Sequence, residues 1–144
     1  MANELLVNGI AAALHARYPS YPIYKEDIPQ GFDRPCFYIQ SRDTSHKEGL
    51  HYTALRTYPF VVHFFPEKDD YHGREQCRKM ADALYDILEY LRLSNDMLRR
   101  GYDMKGEITE DCVLQFHVYY ALHYYRYYEH KKMRKLTIDL EAER

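Results

Sequence analysis

Hydrophobic positions recur along this chain at two periods, and the switch between them predicts its elements. Leu5, Leu6, Ile10, Ala13 and Leu14 return every three or four residues, which predicts an amphipathic helix over the first 17 positions with Asn3 as its N-cap. Pro19 and Pro22 end it, because proline cannot continue a helix. A short strand is expected over 23–27, a turn at Pro29-Gln30-Gly31, and a second strand over 36–42 with Phe37 and Ile39 on one face and Tyr38 and Gln40 on the other. Residues 43–51, Asp-Thr-Ser-His-Lys-Glu-Gly-Leu-His, form a polar stretch that reads as a long exposed loop. A third strand follows, clearest over 56–65. A second helix, over 71–91, carries Cys77, Met80, Ala81, Leu84, Leu88 and Leu91 as one stripe, with Ile87 beside it and Arg78, Lys79, Asp82, Asp86 and Glu89 opposite.

Strands are expected again over 97–99 and 102–108, followed by a turn at Thr109-Glu110-Asp111 and a strand over 112–126. In that last strand Leu114, Phe116, Val118, Tyr120, Leu122 and Tyr124 share one face and read as core. Gln115, His117, Tyr119, Ala121, His123 and Tyr125 share the other, which is polar but rich in aromatics. A strand of about fifteen residues is far longer than the usual five or six and is expected to project beyond its own sheet. The order of elements predicts an α+β fold: a mostly antiparallel or mixed sheet with two main helices packed on it. Residues 1–128 read as a single domain and 129–144 as a charged extension. In that extension Leu136, Ile138 and Leu140 alternate, compatible with a frayed terminus, a brief added strand, or an arm that pairs with another subunit's sheet edge.

Composition adds one feature. Of 144 residues 16 are Tyr and none is Trp, and mean hydropathy is −0.65 despite 46% nominally hydrophobic residues. Tyr couples an apolar ring to a hydroxyl that needs a partner, which suits half-buried positions and subunit contacts. Twenty basic and 22 acidic residues leave a net charge of −2, so no overall basic field attracts nucleic acid. The N-terminus lacks the basic start and apolar run of a signal peptide, and no stretch is apolar enough for a membrane span. Cys36, Cys77 and Cys112 are odd in number and widely spaced, which argues against a disulfide framework or zinc knuckle and for a reducing compartment, the cytosol.

The chain carries no phosphate-binding, dinucleotide, nucleophile-elbow or zincin motif. His117 and His123 share a strand face with His63 at similar parity. Six positions along a strand span about 20 Å, too far for joint ligation, so no metal site is expected. Lys25, Glu26 and Asp27 superficially suggest a nuclease cluster, but neighbours on a strand point to opposite faces. Cys36 follows Pro35 without a catalytic motif and reads as a buried thiol. Basic and Tyr residues over 124–135 could stack on single-stranded nucleic acid, although Glu129 and an acidic end interrupt them. No catalytic residue, metal or cofactor is expected.

Two stretches carry a resemblance. Residues 21–39, Tyr-Pro-Ile-Tyr-Lys-Glu-Asp-Ile-Pro-Gln-Gly-Phe-Asp-Arg-Pro-Cys-Phe-Tyr-Ile, resemble the opening block of a tail-terminator family found in tailed phages, prophages and phage-like contractile particles of Gram-positive bacteria. Residues 56–66, Arg-Thr-Tyr-Pro-Phe-Val-Val-His-Phe-Phe-Pro, resemble its second block, an aromatic strand closing on Phe-Pro. The resemblance covers about residues 2–128. It implies a structural, non-enzymatic protein that caps the head-proximal end of the tail tube as a hexameric ring, ends tube growth and offers a joining face to the head–tail connector.

The implied partners are further copies of the chain, the tail tube protein, the connector and, in a contractile particle, the sheath. No membrane and no sequence-specific nucleic acid is implied, although DNA passes through such a ring. Assembly would take place in the host cytoplasm before incorporation into the particle. Another head–tail joining subunit and a small nucleic-acid-binding module remain the alternatives. Two regions are the expected subunit or tube contacts: Asp43, Ser45, His46, Lys47, Glu48 and His51 in the polar segment, and Gln115, His117, Tyr119, His123 and Tyr125 on the last strand.

Overall fold

The computed structural model describes residues 2–25, 27, 29–67, 72–128 and 136–139, with the backbone alone for 125–128 and 136–139. Helix α1 spans Ala2–Arg17; strands β1 to β4 span Ile23–Lys25, Cys36–Ser41, Ser45–Glu48 and Thr53–Phe65. Helix α2, Gly73–Ile87, precedes β5 (Tyr90–Arg92), β6 (Leu98–Arg100), β7 (Tyr102–Ile108), β8 (Leu114–Tyr128) and β9 (Leu136–Asp139). The main sheet runs β1-β2-β4-β8-β7, with β3 also paired to β4 and β9 to β8; β5 and β6 form a separate two-stranded ribbon. Among the described residues only the β1–β2 pairing is parallel. This is the α+β architecture expected from the order of elements.

The core lies between one face of this sheet and the two helices. Leu6, Ile10 and Leu14 of α1 and Cys77, Met80 and Leu84 of α2 meet Phe37, Ile39, Phe60, Val62 and Phe64. The expected inner face of β8 is buried without exception from Leu114 through Phe116, Val118, Tyr120 and Leu122 to Tyr124. Fully burying each such aliphatic or aromatic side chain contributes about 1.5–3 kcal/mol. Tyr18 and Tyr21, placed by the prolines that end α1, stack at 5.2 Å and close the core edge over Phe37 and Phe64.

Three local expectations change. Helix α1 begins at Ala2, so Asn3 lies inside it and its amide donates to Ser41 Oγ at 3.2 Å instead of capping. Helix α2 stops at Ile87, although the apolar period continues through Leu88 and Leu91. Leu91 is buried from strand β5, where Tyr90 and Arg92 are exposed on either side of it, so a strand completes the helix's stripe.

The expected loop over 43–51 contains β3, which pairs with β4 from Ser45↔Thr57 to Glu48↔Ala54. The β2–β4 pairs sum to 101 in residue number and the β3–β4 pairs to 102, since Cys36 faces Phe65 while Ser45 faces Thr57. Strands β2 and β3 are therefore one arm of a long hairpin, broken by a one-residue bulge. The polar sequence hid this strand because every residue from Ser41 to Tyr52 is exposed, leaving no alternation to read.

Candidate assembly surface

The sheet has a second face that neither helix covers. The registers place Tyr38 and Gln40 of β2, Thr57, Pro59, Val61 and His63 of β4, and Gln115, His117, Tyr119, Ala121 and His123 of β8 on it. The sequence-predicted outer residues of β8 are thus brought together: Gln115, His117 and Tyr119 are half-buried and His123 is exposed. The backbone of Tyr125 pairs with Thr53 and Asp139, while its side chain lies outside the described residues.

Polar and aromatic contacts knit this face. His117 Nε2 lies 3.0 Å from Glu107 Oε1, and His63 Nε2 lies 3.0 Å from Gln40 Oε1. The ring of Tyr38 stacks on His63 with centroids 5.2 Å apart, and Tyr102 packs on Tyr119 at 5.9 Å while its hydroxyl donates to Thr57 Oγ1 at 3.4 Å. Burial first, then the charges of His117 and Arg42, hold the His63 imidazole below its ordinary pKa.

The bulge shapes the middle of the face. Pro59 lies inside a strand paired on both sides, where proline is normally excluded for want of an N–H. Its carbonyl accepts from Arg42 N at 3.0 Å. A strand residue's N–H and C=O point to the same side, so the missing donor of Pro59 faces the gap between Ser41 and Ser45. The bulge sits where Pro59 leaves the ladder unsatisfied, and it turns Arg42 and Asp43 toward a groove. That groove of about 350 Å³ is floored by Pro59 and Val61 and flanked by His117 and Tyr119.

Beyond the bulge, Ser45, His46, Lys47 and Glu48 form the exposed strand β3 and His51 forms the hairpin tip. His46 Nδ1 accepts from Arg56 Nε at 2.9 Å, and the Arg56 guanidinium lies 4.4 Å from the centroid of the Tyr124 ring. At the tip His51 and Tyr52 both take left-handed backbone, with φ of 57° and 61°, the two-residue geometry that favours Asn-Gly. The tip displays Leu50 and Tyr52 at 81% and 56% exposure. Strands β3, β4, β8 and β9 lie side by side at this end, and past Tyr125 the described part of β8 pairs with β9 alone. The overlong strand outruns β4 but does not leave its sheet, because β9 pairs with it through Tyr128.

Sequence reasoning missed Arg42, Leu50, Tyr52, Tyr102 and Glu107. A Pro at mid-strand was the readable signal for the groove, and an apolar Leu within a polar run was the signal for the tip.

Among the described residues no three His, Cys, Asp or Glu side chains come together as a metal site. Burial pushes the Cys36 thiol up to about 11, which suits a structural cysteine. Lys25 donates to Asn8 Oδ1 at 2.9 Å, Asp27 is exposed, and Glu26 lies outside the described residues. The basic run beyond Tyr128 lies outside them too. Among the described residues no helix is long and apolar enough to cross a membrane.

A family model described as phage tail terminator protein matches residues 6–132. A search of curated proteins returns no match. The matched span takes in α1 from Leu6 onward, all of α2, and the main sheet from β1 to β8 with the face that neither helix covers. Tail terminators are structural components of the virion tail that contact other tail proteins, and this chain belongs to the phage tail terminator family.

Proposed function

We propose that this protein caps the head-proximal end of the tail tube as a ring, six copies round, ending tube polymerisation and offering a joining surface to the connector. In a contractile particle the same ring meets the last sheath layer. Residues 1–128 act as the terminator domain and 129–144 as an appended extension. Assembly takes place in the host cytoplasm, after which the ring remains in the particle's tail.

The uncovered sheet face, continuous with an exposed hairpin, is the observation that supports this reading. A closed ring requires two different surfaces on each copy that meet under rotation. We assign the two surfaces to the strand face, with Gln115, His117, Tyr119, His123 and the strand position of Tyr125, and to the exposed hairpin, with Asp43, Ser45, His46, Lys47, Glu48 and His51.

Purified tail tube protein, polymerised with and without this chain, tests the role. Arrested extension with a ring at one tube end is expected, and unaltered tube growth at excess protein would overturn it. Tyr119→Ser with Tyr125→Ser is expected to weaken oligomer formation as read by light-scattering mass. Deleting residues 43–51 is expected to abolish capping, and a ring that forms and caps without them removes the hairpin from the interface.

A further inference from the structure

We propose that Cys77 and Cys112 are an oxidisable thiol pair, which a small-molecule disulfide converts into an internal disulfide tying α2 to the turn before β8. The two residues come from different elements, 35 positions apart, and the Cys77 side chain reaches the Cys112 backbone at a part-buried position. Cys77 Sγ donates to the Cys112 carbonyl oxygen at 3.3 Å. A carbonyl oxygen lies about 2.4 Å from its own Cα, so Cys77 Sγ is within about 6 Å of the Cys112 Cα.

The Cys112 thiol itself is turned toward the helix. A Cβ built on Gly73, one turn before Cys77 on the same helix face, would lie 3.3 Å from Cys112 Cβ and 3.7 Å from its Sγ. The missing side chain at Gly73 lets Cys112 lie against α2. Forming the bond requires the two side chains to rotate until their sulfurs meet at the geometry of an ordinary disulfide.

Exposure assigns the order of events. Cys112 is half-buried, whereas Cys77 and Cys36 are buried. The Cys112 thiolate attacks the external disulfide, forming a mixed disulfide and releasing one small thiolate, which takes up the proton Cys112 lost. Cys77, after losing its proton, attacks the Cys112 sulfur and expels the second small thiol. Two protein thiols and one external disulfide thus become one internal disulfide and two external thiols. Burial, then the neighbouring Cys112, holds the Cys77 thiol up near 11, which makes the second step the slow one. Cys36 lies on a separate strand and takes no part.

The full-length protein, reduced and then incubated with oxidised glutathione under native conditions, gives the test. After denaturation and alkylation, one alkylated cysteine, Cys36, and a peptide linking Cys77 to Cys112 are expected, with the link reversed by dithiothreitol. Three alkylated cysteines, a glutathione adduct that persists on Cys112, or disulfide-linked copies of the chain would each overturn the proposal. Cys77→Ser should halt the reaction at the Cys112 adduct, while Cys36→Ser should leave it intact. If Cys77→Ser fails to fold, peptide mapping of the unmodified chain decides by itself. Closing a loop of this length should raise the Tm of the oxidised protein by roughly 5–10 °C, and an oxidised form melting no higher than the reduced one would remove the stapling role.

Discussion

The Tyr120 hydroxyl donates a 2.6 Å hydrogen bond to the carbonyl of Leu88, the residue that caps the C-terminal end of α2. A fully buried strand residue thereby satisfies a carbonyl that the end of the helix leaves without a partner inside the helix. Burial drives the phenol's pKa far above its ordinary range, so the hydroxyl stays a donor at any working pH. Tyr120→Phe keeps the ring and strands the carbonyl. Urea unfolding should show a loss of about 1–3 kcal/mol with an unchanged slope.

Gly101 lies beside the same junction. A Cβ there would come within 2.7 Å of the Leu88 carbonyl oxygen and 2.8 Å of Val118 Cγ2. The backbone oxygen cannot swing away as a side-chain tip would, and it already binds Tyr120. Gly101→Ala should therefore destabilise the fold by about 1–3 kcal/mol, measured as a lower Tm. A neutral result would show that α2 and β8 can separate locally without cost.

The hairpin tip makes the opposite prediction. His51 and Tyr52 occupy left-handed backbone that Asn and Gly adopt with less strain. Replacing them by His51→Asn and Tyr52→Gly should stabilise the subunit by about 1 kcal/mol in thermal unfolding. The same variant loses the exposed Tyr52 ring, so ring assembly should weaken while the subunit grows more stable. Gains in both would mean that the tip makes no contact in the assembly.

Acidification should act through His63. Its imidazole is held below the ordinary value of 6.5 by burial, with His117 and Arg42 adding like charge, while Tyr38 stacks on it and Gln40 bonds it. The folded state therefore binds this proton less readily than the unfolded one. The stabilising contribution is full above pH 6.5 and is lost as pH falls through the lowered folded value. Tm should be level from pH 8 to 7 and decline below about 6.5. His63→Gln should flatten the first part of that decline; an unchanged profile would show that another group governs it.

Much of this fold was legible because burial leaves a period in the sequence. Leu114 through Tyr124 alternate cleanly, and all six expected core positions of β8 are buried. The same alternation placed Gln115, His117, Tyr119 and His123 together on the other face. Strand β3 was illegible for the converse reason, since both its faces meet solvent and nothing selects apolar residues at either parity. The end of α2 was misread because Leu88 and Leu91 satisfy a helical period even though β5 delivers Leu91 to the core.

Periodicity and turn chemistry alone determine that this chain builds two helices over an extended, Tyr-rich sheet, because each element's buried face repeats at its own interval. They do not determine which strands are neighbours. Tertiary pairing brought Cys77 to Cys112 and Tyr120 to Leu88, and it set Pro59 opposite a bulge that opens a groove. Pairing is a property of two segments at once, and neither segment's local pattern records its partner. Whether a sheet face is covered likewise depends on where the helices dock, which explains why the exposed side of β8 became a candidate assembly surface only in three dimensions.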